Sequence, residues 1–255
     1  MAEQSPTGTL PLSRPVRRGK RPGGWRDRHP GVEWLLAAVG LLALGVVLGP
    51  LIYFHLVEGN PPAKLTLPPA AGTSSQVAPG PVSGNWTVAA GSQSGYRVKE
   101  ILFGQSHTAV GRTSQVTGGI TISGTTVTAA DFTVNMASVK SDQAGRNVQF
   151  DTGIMDTGRY PYGRFHLTRP VRLGSLPPVG QIVTVEATGD LTLRGVTRSV
   201  TFPLHAERFP SAIDVDAEIP IVFSRWHIPN PSFAITRVGN VGTIEVLLHL
   251  VPAGH

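Results

Sequence analysis

The sequence has no cysteine, which excludes a disulfide framework, a thiolate metal site and a cysteine nucleophile. Its histidines are scattered without the paired spacing of metal ligands, so no metal site is predicted. The GSQSG segment carries Gln93 where a serine-hydrolase motif needs serine. No glycine-rich phosphate loop follows a strand and opens a helix. The sequence therefore predicts a protein with neither a catalytic motif nor a cofactor.

Glycine and proline are abundant, with 30 and 22 residues, which is typical of a chain with many turns between strands. The net charge of +6 is unevenly distributed along this chain. Residues 1–30 carry +5, residues 31–84 carry −1 and residues 85–255 carry +2. The basic character therefore belongs to an N-terminal tail that we predict to be disordered and cytoplasmic, and nucleic acid is not a predicted partner.

One apolar run without charged residues extends from Leu35 to Phe54. As a helix, its 20 residues would span about 30 Å, the thickness of a bilayer's hydrocarbon core. Trp34 and Tyr53 stand at its two ends, and a cluster of arginine and lysine residues precedes it. The pattern predicts an uncleaved signal anchor over residues 31–57. It would cross a bacterial cell membrane once and place the C-terminal region outside the cytoplasm.

Residues 58–84 are rich in proline, glycine, alanine and serine and show no apolar periodicity. This composition predicts a semi-extended linker between the membrane and a folded domain. We place that domain at residues 85–252.

Alternation of apolar and polar residues predicts long, half-buried strands throughout this domain. The predicted strands cover residues 97–103, 115–123, 125–136, 165–172, 182–194, 200–206, 212–223 and 243–251. The apolar–polar alternation shifts by one residue between Ala129 and Phe132, which predicts a bulge. Gly189 lies in the middle of a predicted strand and predicts a bend or a bulge. Only residues 146–157 are predicted to form a helical turn or two.

Strands of this length and number predict an all-β, closed antiparallel barrel, because closure removes the exposed edges. Small inward residues such as Ala187, Gly189, Ala206 and Ala217 would leave room for a slender ligand. Large side chains that meet across the lumen would instead fill it, and the strand pattern leaves both alternatives open. The predicted lumen residues are Val183, Val185, Ala187, Leu191, Leu193, Val200, Phe202, Leu204, Ile213, Val215, Ile219, Ile221, Phe223, Val246 and Leu248.

Five segments resemble, in the same order, those of YceI-like domains: SGYRVKE, GRTSQVTGGI, RNVQFDTGIMDTGRYPYGRF, GDLTLRGVTRSVTFPL and VGTIEVLLHL. The resemblance covers residues 85–251 and is most specific from Arg146 to Phe165 and from Leu191 to Arg198. It implies a lipocalin-like antiparallel barrel of about eight strands with short helical segments. It also implies that a polyisoprenoid chain occupies the apolar lumen.

Carried over by position, Gly195, Val196 and Thr197 would form a hairpin turn and take no part in chemistry. His107, Arg146 and Asp151 are the candidate polar residues at the barrel mouth. There, an Arg146–Asp151 salt bridge would either close the barrel or bind a ligand head group.

We therefore predict a membrane-tethered extracytoplasmic binding protein, and not an enzyme. It would hold a quinone or polyprenyl chain for storage, transport or presentation. Its partners would be that lipid and the membrane, and a homodimer is compatible with the sequence. Two alternatives stay open. One is an enzyme that acts on a lipid or small apolar molecule, with His107 or the Arg146–Asp151 pair as acid and base. The other is a packed scaffold barrel in the envelope stress response.

Overall fold

The computed structural model describes residues 30–53, 61–68, 81–102, 104–232 and 236–254. The chain divides into two compact units after Tyr53. Most of the predicted basic tail, residues 1–29, lies outside the described residues, as do residues 54–60 and 69–80 of the predicted anchor and linker.

The first unit contains helix α1, Pro30–Tyr53, which has 24 residues. Several of its large apolar side chains, among them Leu35, Leu41 and Leu42, are exposed. Within the described residues, no helix combines the length and hydropathy that a bilayer crossing requires. The predicted span continues to Phe54, which lies outside the described residues.

The second unit is built almost entirely from antiparallel β-strands. The strands are β1 Gly84–Val88, β2 Gln93–Leu102, β3 Gln105–Thr113, β4 Val116–Ser123, β5 Thr126–Asn135, β6 Lys140–Ser141, β7 Tyr162–Arg169, β8 Val171–Arg172, β9 Ile182–Leu193, β10 Val196–Arg208, β11 Ile213–Val222, β12 Thr236–Val238 and β13 Val241–Pro252. Helix α2, Ala144–Gln149, continues into a π-helical segment, Phe150–Ile154, and short 3-10 helices cover Met136–Ser138 and Phe223–Trp226. The predicted strands are all present, and the helical turn begins two residues earlier than predicted.

The strands close into a barrel with eight positions in chain order. β1 and β2 lie end to end along one edge of β13, and β4 and β3 lie end to end beside them. β5, β7, β9, β10 and β11 follow in turn, and β11 pairs with the other edge of β13. Sequence neighbours are therefore spatial neighbours around the whole ring. This confirms the predicted closed antiparallel barrel of about eight strands.

Two predicted irregularities occur close to their predicted positions. The β4–β5 register shifts between Thr121 and Ile122, which leaves Thr128 as the extra residue just before the predicted bulge. The β7–β9 register shifts between Leu167 and Arg169, beside Gly189. Both shifts increase local twist and let long strands curl into a closed ring.

Two hydrophobic clusters fill the two ends of the barrel. The helical end, as we name it, carries α2, the β9–β10 turn and the 3-10 helix Phe223–Trp226. There Trp226 is completely buried, and its indole Nε1 donates a hydrogen bond to the carbonyl of Leu191 at 3.1 Å. At the opposite end Trp86 is buried, and its Nε1 donates to the carbonyl of Val82 at 2.9 Å.

Residues 61–68, which we call the strap, pack on the outer wall of the barrel, although their composition predicts a linker. Leu65 and Leu67 are buried, and they alternate with the polar residues Lys64 and Thr66. The Leu67 amide donates to Asp216 Oδ2 at 2.6 Å, and Lys64 Nζ lies 2.7 Å from Glu218 Oε1. Part of the predicted linker therefore belongs to the folded unit, because two leucines bury apolar area and polar contacts fix their register.

Candidate functional site

Most of the barrel interior is apolar, because most strands turn an apolar set of alternate residues inward. On β9 and β10 the inward positions include Leu191, Leu193, Val200 and Phe202, which are all buried. With the exception of the half-buried Val183, every predicted lumen residue belongs to one of the two hydrophobic clusters. These residues therefore face the interior, and their contact with a lipid stays a prediction.

Aromatic rings occupy part of the interior that the sequence suggests is open. A Cβ atom placed on Gly189 would lie 2.4 Å from Cζ of Phe165, so the Phe165 ring fills the space above this glycine. The ring also meets Phe202 edge to face, with 5.5 Å between the ring centroids. The expectation that Gly189 leaves room in the lumen is therefore wrong. Position 189 requires glycine because the Phe165 ring occupies the space that a side chain would need.

A polar cluster lies inside the barrel at the helical end. Glu100 on β2 points inward and is 8% exposed, and its Oε1 lies 3.1 Å from Arg146 Nη2 on α2. Arg146 Nη1 also lies 2.5 Å from Asp142 Oδ1. One guanidinium therefore balances two carboxylates, which favours a structural role for Arg146 over recognition of an anionic head group.

Tyr96 belongs to the same cluster and stacks on Phe150, with 5.2 Å between the ring centroids. Burial raises the pKa of the Tyr96 hydroxyl to about 12, although the positive charge of Arg146 and a hydrogen bond with Ser141 oppose that rise. The hydroxyl is therefore neutral at physiological pH, and the ring forms an uncharged wall beside the Glu100–Arg146 pair.

The predicted salt bridge between Arg146 and Asp151 does not form. Asp151 instead lies 3.5 Å from Lys140 Nζ and accepts a hydrogen bond from Thr157 Oγ1 at 3.3 Å. Five residues advance a helix by about 140° beyond one turn, so the two side chains leave the helix on different sides. His107, the third predicted mouth residue, is half-buried and stands directly across from Glu100 in the β2–β3 register.

Sequence reasoning missed the charged site beneath the strap. Glu245 on β13 is 0% exposed, and its oxygens lie 2.5 Å from Arg97 Nε and 3.0 Å from Arg112 Nη2. Arg97 also donates to the carbonyl of Pro62 at 2.8 Å, and Arg112 donates to the carbonyl of Ala63. The apolar–polar alternation of β13 predicts an exposed Glu245, and only the alternation within residues 64–67 signals that a segment covers it.

The outer wall also contains a cross-strand acidic pair. Glu207 on β10 is buried and faces Asp214 on β11 in the strand register. Burial raises the pKa of Glu207, and the negative charge of Asp214 raises it further. Among the residues that the structure describes, no group of three or more His, Asp or Glu side chains is placed to hold a metal ion.

The fold is similar to that of solved bacterial proteins. A polyisoprenoid-binding domain from Saccharophagus degradans, implicated in plant cell wall breakdown, is 17% identical with a TM-score of 0.55; the match covers 67% of this chain and 99% of that one. Burkholderia cenocepacia BcnA is 18% identical with a TM-score of 0.46, over 60% and 95% of the two chains. The Campylobacter jejuni YCEI protein is 15% identical with a TM-score of 0.41, over 55% and 83%.

No curated protein matches the sequence significantly. The model of the YceI-like domain family, in contrast, matches residues 86–250, which is nearly all of the barrel. The matched stretch begins in β1 and ends in β13, the two strands that complete the ring, so it coincides with the structural domain. The chain therefore belongs to the YceI-like domain family.

Proposed function

We propose that the barrel binds a polyisoprenoid lipid, such as a quinone or a polyprenyl chain, in its interior. The observation that carries this proposal is the closed ring of eight strand positions whose inward residues form two apolar clusters, with the polar cluster around Glu100 confined to the helical end. Transfer of hydrocarbon from water into such an interior is favourable by about 0.8 kcal/mol for each buried CH₂ group. Binding of this kind needs no catalytic residue, and the S. degradans neighbour, described as polyisoprenoid-binding, supports the same assignment.

Entry of a prenyl chain requires side chains to move, because the rings of Phe165 and Phe202 meet over β9 and occupy part of the interior. Both rings stand on strands and turn about their χ1 and χ2 torsions without breaking backbone hydrogen bonds. We infer that the two rings rotate toward the barrel wall when the lipid enters. Phe165 and Phe202 would then pack against each other in the empty barrel and against the hydrocarbon chain in the loaded barrel.

We further propose that the run from Leu35 to Phe54 anchors the chain in a bacterial cell membrane, with the barrel outside the cytoplasm. The exposed leucine and valine side chains of α1 support this proposal, because hydrocarbon removes them from water. An anchored barrel would take up lipid from the membrane beside it, and its role would be storage or presentation of that lipid.

Filling the interior should prevent lipid retention. We expect Ala187→Phe, which adds a ring at a buried inward position of β9, to reduce co-purified prenyl lipid at least fivefold. Thr201→Phe adds the same ring at an exposed outward position of β10 and should leave the lipid content unchanged. The measurement is mass spectrometry of an organic extract of the full chain after purification and incubation with polyprenyl lipids. Lipid content that is equal in both variants would contradict binding in the interior.

A further inference from the structure

Five arginines lie at the helical end of the barrel, where four are exposed and Arg194 is half-buried. We call Arg159, Arg164, Arg194, Arg198 and Arg225 the arginine patch. Arg159 and Arg194 both lie over the Tyr160 ring, with Cζ atoms 5.1 and 5.9 Å from the ring centroid.

Two of the arginines donate hydrogen bonds to backbone carbonyls of the segment that follows β11. Arg194 Nη1 donates to the carbonyl of His227 at 2.8 Å, and Arg198 Nε donates to the carbonyl of Arg225 at 3.0 Å. Arg164 lies over the neighbouring Tyr162 ring at 5.2 Å. Aromatic rings or backbone carbonyls therefore contact guanidinium groups of the arginine patch at this end of the barrel.

Among the residues that the structure describes, no carboxylate forms an ion pair with the arginine patch. The three segments that form it, residues 159–164, 192–198 and 223–228, contain no Asp or Glu. Within the described part of the chain, none of the five guanidinium groups pairs with a carboxylate, whereas Arg97, Arg112 and Arg146 all do. Five clustered positive charges without counter-charges are typical of a surface that binds an anionic partner.

Exposed apolar side chains accompany these charges. Tyr162 is 44% exposed beside Arg164, and Val222, which directly precedes the 3-10 helix of Arg225, is 39% exposed. Val241, the register partner of Val222, is 52% exposed. A soluble polyanion makes no apolar contacts with these side chains, whereas a bilayer interface binds arginine through its headgroups and buries tyrosine and valine in its apolar region.

We infer that the arginine patch docks the helical end of the barrel on the anionic phospholipid headgroups of a bilayer. This inference deepens the proposed lipid-binding function, since docking would bring one end of the apolar interior to the source of the lipid. The binding depends on the arginine patch, on the exposed side chains beside it and on the charge of the membrane, and not on the barrel interior. It is therefore measurable whether or not the barrel holds lipid.

The absence of cysteine makes a site-specific test practical on the full chain. Ser224→Cys places a fluorophore within the patch, beside Arg225, and Ser211→Cys places one on an exposed turn at the opposite end. The chain is added to vesicles of equal parts phosphatidylglycerol and phosphatidylcholine that contain a headgroup-linked quencher. We expect quenching of the Ser224 label and not of the Ser211 label. We also expect loss of this quenching in pure phosphatidylcholine vesicles or in about 1 M salt, where the screening length is only about 3 Å.

Charge reversal provides the matched comparison. In the Ser224→Cys background, Arg198→Glu with Arg225→Glu should reduce the docked fraction at least tenfold, since each basic side chain contributes to attraction at an anionic surface. Arg169→Glu with Arg172→Glu makes the same charge change at exposed positions of the opposite end and should leave the docked fraction unchanged. Equal effects of the two double variants would overturn the inference, as would equal quenching of the two labels or preferential binding to soluble polyphosphate.

Two further readouts separate this inference from the proposed function. Flotation of the chain with vesicles at high salt reports the membrane anchor, because patch binding is then screened. Mass spectrometry of extracted prenyl lipid reports the interior. Suppose that the chain neither floats at high salt nor retains lipid. If its vesicle binding at low salt is lost when Arg198 and Arg225 are reversed in charge, docking is supported. If the binding persists in that double variant, docking is overturned.

Discussion

Replacing Glu245 with glutamine is expected to lower the free energy of unfolding by roughly 3–5 kcal/mol. Glutamine preserves the size of the side chain but removes the charge that Arg97 and Arg112 share beneath the strap. Both guanidinium groups are largely buried, so they would lose a counter-charge at a site where water cannot replace it. Urea unfolding of the full chain, followed by tryptophan fluorescence, measures the change.

Glu218→Gln is the matched control for Glu245→Gln. Glu218 also contacts the strap, but its side chain is 41% exposed and that of its partner Lys64 is 54% exposed. Solvent screens such a pair, so the loss should stay below about 1 kcal/mol. An equal decrease in the free energy of unfolding in the two glutamine variants would contradict a special stabilising role for the buried charge of Glu245.

Alanine at position 189 is expected to destabilise the barrel by about 1–3 kcal/mol. The added Cβ would lie 2.4 Å from both the Phe165 ring and the backbone carbonyl oxygen of His166. The ring is able to turn away, but the carbonyl is part of the β7 backbone and cannot move without distorting the strand. Thermal and urea unfolding of Gly189→Ala measure the loss, and a second change, Phe165→Leu, should recover only the part caused by the ring.

Gly145→Ala tests whether this effect is specific to the barrel wall. Gly145 lies in α2, and nothing within 4 Å would meet its added Cβ. Alanine is the better helix former by about 1 kcal/mol, so this variant should be slightly more stable than the wild type. A loss of stability at position 145 as large as that at position 189 would contradict a steric cause.

The long strands were predictable because their alternation extends over ten or more residues. On β9 and β10 the alternation of apolar residues identifies the inward face correctly, and the resemblance to YceI-like domains implies the antiparallel barrel. β3 was not predicted, because its inward positions include His107, Gly111 and Thr113, whose polar or small side chains hide the alternation. β1 has only five residues, which is too short for a periodic signal.

The charged contacts were less predictable, because they depend on which strands become neighbours. Arg146 pairs with Glu100, which is 46 residues away in sequence and meets it only when α2 packs against the end of the barrel. Likewise, Glu245 reaches Arg97 and Arg112 across strands that are joined by ring closure. The pairing of Arg146 with Asp151 was carried over by position from the family resemblance, and position along the chain carries no information about tertiary neighbours.

Photo-crosslinking with a diazirine-bearing polyprenyl probe tests the lipid-carrier function most directly. The full chain is irradiated with the probe, and peptide mass spectrometry locates the modified residues. We predict modification at inward positions of β9, β10 and β11, such as Leu191, Phe202 and Ile219. The neighbouring outward residues of the same strands should remain unmodified. Modification confined to outward residues or to α1, or no modification of the barrel at all, would contradict lipid binding in its interior.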